Sequence, residues 1–204
     1  MDALSKERTG TDLIAKLASS LSTKSLSDIA KRKKAERAGK AVFLLLDCSG
    51  SMGEYCEPSR PKITALRELV SSLREQGLTF TQVVFPGHGW GAEITTNIPN
   101  PDGGTPLHAA LDVANVEDAR HIVLISDGMP DNEQNVTDLA QVIKKKGVKI
   151  DVFYVGPYPH PGEKFLRSLA SMTGGQMQTT SLKGSSMLAL SNKVRHSLLL
   201  DAPR

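Results

Sequence analysis

Residues 42–51 read V-F-L-L-L-D-C-S-G-S, and this stretch predicts the fold of the chain. Its first five residues are apolar and include β-branched and aromatic side chains, which is typical of a central parallel strand buried on both faces. Asp47, Ser49 and Ser51 follow at intervals of two, and Gly50 permits a tight turn among them. Because open α/β sheets bind ligands beyond the carboxyl ends of their strands, these side chains are candidate ligands of a hard cation.

Two later stretches carry similar signals. Residues 102–107 read D-G-G-T-P-L, which predicts Thr105 as a helix N-cap, since Pro106 suits the first position of a helix. Residues 121–128 read H-I-V-L-I-S-D-G, a second apolar strand that ends in Asp127. In a parallel sheet both stretches reach the edge at which the first strand ends. Their oxygen-bearing side chains would complete a site suited to Mg²⁺ or Mn²⁺.

These three motifs, Asp-x-Ser-x-Ser, then Gly-Gly-Thr-Pro, then a strand ending in Ser-Asp-Gly, together resemble the metal-ion-dependent adhesion site of the von Willebrand factor A family. The resemblance covers roughly residues 40–200 and is to the short, stand-alone bacterial members. It implies five metal ligands, with the hydroxyls of Ser49, Ser51 and Thr105 binding directly and Asp47 and Asp127 binding directly or through water.

The resemblance also implies a function, which is binding to another protein and not catalysis. Because hydroxyl ligands carry no charge, the ion keeps much of its positive charge and favours a carboxylate from outside, an Asp or Glu of a partner. By similarity to the short bacterial members, that partner would be an AAA+ ATPase or a component of the stress-resistance machinery.

A metal-dependent phosphoester hydrolase stays open as an alternative. Such an enzyme would use Asp47 as nucleophile and would need a second carboxylate two residues later, together with a lysine near the phosphate. Position 49 is a serine, and no lysine lies near Asp127 in the sequence. The first strand is not followed by the dinucleotide-binding motif G-x-G-x-x-G, and the P-loop motif G-x-x-x-x-G-K-[ST] occurs nowhere in the chain.

Alternating strand and helix patterns predict an α/β fold, a doubly wound, mostly parallel sheet with helices on both faces. The resemblance implies a Rossmann-like sheet of six strands whose third strand is an antiparallel edge. The predicted strands are residues 42–46, 79–85, 92–98, 121–126, 148–155 and 176–180. The predicted helices are residues 61–76, 106–114, 135–146, 162–172 and 185–200. The last helix is predicted to face the sheet with Met187, Leu188, Leu190 and Val194.

The charges separate a basic helical leader, residues 1–39, from the von Willebrand factor A-like domain, residues 40–204. Residues 1–40 hold ten Lys or Arg against five acids, and the rest of the chain holds 15 against 17, for a total of +3. Packing on the domain, docking to an acidic partner and a nucleic-acid adaptor role stay open for the leader. The absence of interleaved aromatic residues argues against nucleic acid.

The cellular compartment is predicted from the polar amino terminus, the lack of a long apolar run and the cysteines. The sequence shows neither a membrane span nor a secretory signal, which predicts a cytoplasmic protein without a membrane partner. Cys48 and Cys56 are predicted to be reduced thiols, with a redox pair at the metal site as the alternative.

Four loop residues are predicted at the same edge as the metal site. They are either ordinary loop side chains or an aromatic rim for a partner, since aromatic residues are enriched at binding hot spots. They are His88, Trp90, Tyr158 and His160.

Overall fold

The computed structural model describes residues 42–157 and 159–200. The eight strands of this part are β1 (Val42–Asp47), β2 (Tyr55–Glu57), β3 (Arg60–Pro61), β4 (Thr81–Phe85), β5 (Glu93–Ile94), β6 (His121–Ser126), β7 (Lys149–Tyr154) and β8 (Met177–Thr179). The five α-helices of this part are α1 (Lys62–Glu75), α2 (Leu107–Val116), α3 (Glu133–Lys145), α4 (Pro161–Thr173) and α5 (Gly184–Leu200). The predicted leader lies outside the described residues.

Six strands form one sheet in the order β5-β4-β1-β6-β7-β8. Five of them run parallel, and β5 pairs antiparallel with β4 at the edge. The predicted mostly parallel α/β sheet with one antiparallel edge strand is therefore confirmed. Counted along the chain, these strands are ordered 3-2-1-4-5-6, so the switch point, where α/β sheets bind ligands, lies between β1 and β6.

The central strand β1 is buried on both faces, and all six of its residues are buried. Phe43 and Leu45 pack in one hydrophobic cluster with residues of α2, α3 and α4. Leu44 and Leu46 pack in a second cluster with residues of α1 and α5. Each such side chain stabilises the fold by about 1.5 to 3 kcal/mol on full burial, which explains why the run is apolar without alternation.

The edge strand is shorter than predicted. Within residues 92–98, Glu93 and Ile94 form the ladder pairs with β4, and the Thr95 amide adds one hydrogen bond to the Gln82 carbonyl at 3.2 Å. Further along, the guanidinium of Arg67 on α1 donates to the carbonyl of Ile98 at 2.9 Å and to that of Pro99 at 2.8 Å. A helix side chain therefore satisfies the backbone oxygens that a longer strand would have offered to the sheet.

A small hairpin, β2 and β3, lies between β1 and α1 and is missing from the prediction. It contacts the segment before α5, because Cys56 Sγ lies 3.6 Å from the carbonyl oxygen of Leu182. The amide of Lys62 donates to the carbonyl of Glu54 at 2.9 Å, which fixes the start of α1 against the loop after β1.

Helix α5 buries one face, formed by Leu190, Val194 and Leu198 at intervals of four. The predicted burial of Leu188 is wrong, since this side chain is 75% exposed. Leu188 lies two residues before Leu190, and side chains two positions apart on a helix point to different faces. Of the helices that the structure describes, none has the length and apolar character needed to cross a membrane.

Candidate metal centre

Four of the five predicted ligands form one hydrogen-bonded cluster at the carboxyl ends of β1 and β6. The hydroxyls of Ser49 and Ser51 lie 3.1 Å apart, and Ser51 Oγ donates to Asp127 Oδ1 at 2.7 Å. The amide of Ser49 donates to Asp47 Oδ1 at 2.9 Å, which orients that carboxylate in the turn after β1. The cluster joins residues 76 positions apart in the chain.

The fifth predicted ligand, Thr105, lies on the loop that precedes α2 and is buried. A β-carbon built on Gly128 would lie 3.8 Å from Thr105 Oγ1 and 3.9 Å from Ser51 Oγ, so these hydroxyls flank the turn after β6. The N-cap prediction for Thr105 is wrong, because Pro106 is the N-cap residue and no side chain caps α2. The helix therefore does not use the Thr105 hydroxyl.

Asp131, which the sequence analysis does not identify, holds Thr105 in place. Its Oδ1 accepts from the Thr105 amide at 2.8 Å, and its own amide donates to the Thr105 carbonyl at 3.1 Å. A β-carbon built on Gly104 would lie 2.6 Å from both carboxylate oxygens of Asp131, so only glycine fits beside this contact. An acid shortly before a helix is an ordinary helix-start pattern, and this obscures the role of Asp131 in the sequence.

Backbone hydrogen bonds join the loops of the site to one another. The amide of Gly50 donates to the Gly103 carbonyl at 3.0 Å, and the amide of Asp102 donates to the Cys48 carbonyl at 3.1 Å. The loop after β1 and the loop before α2 are therefore hydrogen-bonded to each other at the edge of the sheet.

Asp47 is fully buried, and both of its carboxylate oxygens accept hydrogen bonds. Burial raises the pKa of Asp47 to about 6, although hydroxyls of Ser126 and Ser49 oppose this, and the nearby charge of Asp127 raises it further. A buried carboxylate whose charge is disfavoured gains stability from a cation at short range. Ser126 is a further residue missing from the predicted site, and it precedes Asp127 in the Ser-Asp-Gly motif.

Lys62, the first residue of α1, places an ammonium group on Asp127. Its Nζ donates to Asp127 Oδ2 at 2.6 Å, to Glu54 Oε2 at 2.8 Å and to the Ser51 carbonyl at 3.3 Å. Burial lowers the pKa of Lys62, but Asp127 and Glu54 outweigh this effect and raise it, so the group stays cationic. The position of Lys62 at the predicted start of a helix is a signal in the sequence. A cation there opposes the helix dipole, which indicates that anions lie nearby.

The residues present fit a hard divalent cation. Two carboxylates and three hydroxyls, all oxygen donors, are the ligand chemistry that Mg²⁺ and Mn²⁺ prefer. Among the described residues, no group of three or more His, Cys, Asp or Glu could hold a metal. The proposed ligand set holds two carboxylates and three hydroxyls, so it does not form such a group.

The comparisons with known proteins show what this chain is similar to. Residues 92–179 match the model of the von Willebrand factor type A domain. Von Willebrand factor A domain-containing protein 3A of Homo sapiens is 25% identical over 153 residues, 66% of this chain and 13% of that protein. The chain contains a von Willebrand factor A-like domain. The matched part of the chain spans 13% of the length of the human relative. The family model includes Thr105 and Asp127 but begins after Ser51.

Solved structures share the fold of this A-like domain at low identity. A von Willebrand factor type A protein from Catenulispora acidiphila has a TM-score of 0.58 at 18% identity, covering 80% of this chain and 42% of that one. The manganese-loaded TRAP protein of Plasmodium vivax has a TM-score of 0.51 at 19% identity, covering 79% and 72%. Proximal thread matrix protein 1 from the mussel byssus, with a zinc-occupied MIDAS motif, has a TM-score of 0.55 at 17% identity, covering 76% and 45%.

Of the predicted aromatic rim, two residues lie beside the loop before α2. His88 and Trp90 line a cavity of about 240 Å³, and the Trp90 side chain is largely exposed. The Trp90 ring packs on Gly103, where a β-carbon would lie 2.0 Å from Cζ3. His160 has another role, because its Nδ1 accepts from the Gly162 amide at 3.1 Å and caps α4. Tyr158 lies outside the described residues.

The two cysteines of the A-like domain are free thiols, as predicted. Cys48 is buried in the loop after β1, and burial raises the pKa of its thiol to about 12. A thiol in such surroundings is inert, because the thiolate is the reactive form. The Cys56 thiol donates to the carbonyl of Arg60 at 3.2 Å within the hairpin.

Proposed function

We propose that the A-like domain is a divalent-metal-dependent module that binds other proteins. In this proposal Mg²⁺ or Mn²⁺ is held by Asp47, Ser49, Ser51, Thr105 and Asp127, and an Asp or Glu of the partner completes the site. The observation that carries the proposal is the convergence of these side chains from three loops at the switch point of the sheet. The manganese in the TRAP structure and the zinc in the MIDAS motif of the mussel protein support a divalent ion.

The chain's own residues set the chemistry of this site. Three of the five donors are uncharged hydroxyls, so the ion, when bound, supplies positive charge to an incoming carboxylate. Asp47 is oriented by Ser126, and Thr105 is oriented by Asp131, so both ligands are held before any ion arrives. We further propose, from the resemblance to short bacterial members of the family, an AAA+ ATPase or a stress-resistance component as the partner and the cytoplasm as the place of binding.

Thermal unfolding in EDTA and in millimolar Mg²⁺ or Mn²⁺ tests the metal site. An ion at about one hundred times its Kd stabilises the native state by about 2.7 kcal/mol. For a domain of this size this corresponds to a rise in Tm of roughly 5 to 11 °C. Ser51→Ala should reduce the rise, whereas Ser168→Ala, an exposed serine on α4, should leave it unchanged. An unchanged Tm of the native protein with both metals contradicts the proposal.

The partner is tested separately from the metal. Capture of a protein from the native cell in Mg²⁺ buffer should fail in EDTA and with Thr105→Ala. The captured protein must then lose binding when one Asp or Glu in its contact segment is replaced by Asn or Gln. Binding that persists in EDTA shows that the interaction does not pass through the metal.

A phosphoester hydrolase is the second candidate, because the structure supplies the lysine beside Asp127 that the sequence lacks nearby. Two observations oppose it. The Asp47 carboxylate is 0% exposed with both oxygens hydrogen-bonded, and position 49 offers a hydroxyl in place of the second carboxylate. Turnover of p-nitrophenyl phosphate with Mg²⁺ or Mn²⁺, lost in Asp47→Asn, would establish this activity.

A further inference from the structure

The side chain of Lys62 occupies the position of a cation within the proposed metal site. Its Nζ lies 2.6 Å from Asp127 Oδ2, while the other oxygen of the same carboxylate accepts from Ser51. The side chain of Asp127 is 1% exposed and that of Lys62 is 9% exposed. Water therefore screens this pair weakly, and the ammonium neutralises a carboxylate that a divalent ion would also need.

The start of α1 confines the ammonium to this place. Lys62 is the first residue of the helix, and its amide is bound to the Glu54 carbonyl. Neighbouring residues Ile63 and Leu66 are buried in the cluster beneath the sheet, so the backbone is fixed. The lysine is thus present at the site at a high effective concentration, whatever the concentration of free cations in solution.

Glu54 offers the ammonium a second position. Its Oε2 accepts from Lys62 Nζ at 2.8 Å, and its side chain is 67% exposed. Glu54 is not among the proposed metal ligands. Lys62 can therefore release Asp127 and stay paired with Glu54, which avoids the cost of an unpaired buried charge.

We propose that Lys62 is a tethered cation that competes with the divalent ion for Asp127 and so sets the metal affinity of the site, with Glu54 receiving the ammonium when the ion binds. This inference rests on the proposed function. It makes metal binding an exchange in which the incoming ion replaces the ammonium at Asp127. A monovalent ion gains nothing from this exchange, because it carries the same charge as the group that it displaces.

Calorimetric titration with Mg²⁺ and Mn²⁺ tests the proposal with two variants of opposite expected effect. Lys62→Met removes the competitor and should tighten metal binding by about tenfold or more, a size typical of residues around a metal ligand. Glu54→Gln removes the negative charge of the second acceptor, favours the ammonium on Asp127 and should weaken metal binding by about threefold or more. Lys193→Met, an exposed lysine on α5, loses the same charge and should stay within about twofold of the native Kd.

Unfolding in EDTA is the second readout. Without metal, Lys62→Met should have a lower Tm than the native protein, because Asp127 loses its partner, and added Mn²⁺ should then raise its Tm more than it raises that of the native protein. If Lys62→Met does not fold, Glu54→Gln at an exposed position still tests the exchange. If Lys62→Met binds metal and the native protein does not, the competition is supported and the proposed function is contradicted.

Other outcomes distinguish the competition by Lys62 from the proposed function. A native protein that binds metal, with equal Kd values for the native protein, Lys62→Met and Glu54→Gln, overturns the competition and leaves the proposed function standing. Weaker binding by Lys62→Met also overturns the competition, since the lysine would then support the site. Absence of binding in all variants overturns both.

Discussion

The hydroxyl of Ser126 donates to Asp47 Oδ2 at 2.5 Å, and this hydrogen bond joins the ends of β6 and β1 at the switch point of the sheet. Ser126 Oγ also accepts from the Gly128 amide at 3.3 Å, which supports the turn that carries Asp127. One buried hydroxyl therefore orients the carboxylate of one strand and the turn of the next.

Ser126→Ala is expected to lower the free energy of unfolding by about 1.5 to 3 kcal/mol, because a buried carboxylate loses a hydrogen-bond donor. The same change should weaken metal binding by about tenfold to a hundredfold, since Asp47 loses its orientation. Urea unfolding in EDTA and a metal titration measure the two effects. Ser168→Ala on the exposed face of α4 is the control. Native stability in Ser126→Ala would show that this hydrogen bond is not needed.

Gly104→Ala is expected to weaken metal binding while the domain stays folded. The new β-carbon would lie 2.6 Å from both carboxylate oxygens of Asp131, which must move and release the amide of Thr105. Gly91→Ala is a matched control, because nothing lies within 4 Å of a β-carbon built there. Circular dichroism verifies the fold, and calorimetry measures the Kd. Equal Kd values for Gly104→Ala and Gly91→Ala would show that the position of Thr105 does not affect metal binding.

The stability of the domain is expected to fall in acid through Asp151. Burial raises the pKa of Asp151, but hydrogen bonds from His121, Ser197 and the Gln176 amide outweigh it and lower the pKa to about 2. Because the folded pKa lies below the unfolded value of about 3.9, the contribution is complete above that value and is lost as the pH falls toward 2.

Asp151→Asn tests this contribution. The variant should be less stable than the native protein near neutral pH, and the difference should shrink as the pH falls below about 4. Urea unfolding over a pH series measures it, with Asp112→Asn on the exposed face of α2 as the control. A difference that is constant with pH would assign the loss to packing and not to charge.

The sequence predicts those features of the fold and the site that depend on residues close together in the chain. The apolar run of β1 and the spacing of Asp47, Ser49 and Ser51 are local patterns, and the sheet that they predict is confirmed. The residues that support the site are contacts across the chain. Lys62 lies 65 positions from Asp127, and Ser126 lies 79 positions from Asp47. A pattern of neighbours carries no information on such pairs until the strand order is known.

The predicted elements that differ in the structure fail for a related reason. Propensity predicts a strand over residues 92–98, but Arg67 on α1 takes the carbonyls of Ile98 and Pro99, so tertiary contacts override the local preference. Similarly, Thr105 fits the local rule for an N-cap, but its backbone is fixed by Asp131 from the loop after β6.

The fluorescence of Trp90 is expected to report on the metal. It is the single tryptophan of the chain, and its ring packs on Gly103, two residues before Thr105. An ion that draws the Thr105 hydroxyl inward would shift this loop and change the surroundings of the ring. Titration with Mg²⁺ should change the emission with the Kd found by calorimetry, and Thr105→Ala should abolish the change. Emission that stays constant during saturation would mean that this loop does not move.

Deletion of residues 1–39 is expected to leave a folded domain that binds metal. Both hydrophobic clusters of the described part are built from residues 42–198, and the five proposed ligands lie between Asp47 and Asp127. The truncated protein should keep a cooperative unfolding transition and the native Kd for Mn²⁺. If the leader binds nucleic acid, the full chain alone should bind it, with an affinity that falls steeply with salt. A truncated protein that is insoluble or blind to metal would show that the leader completes the core.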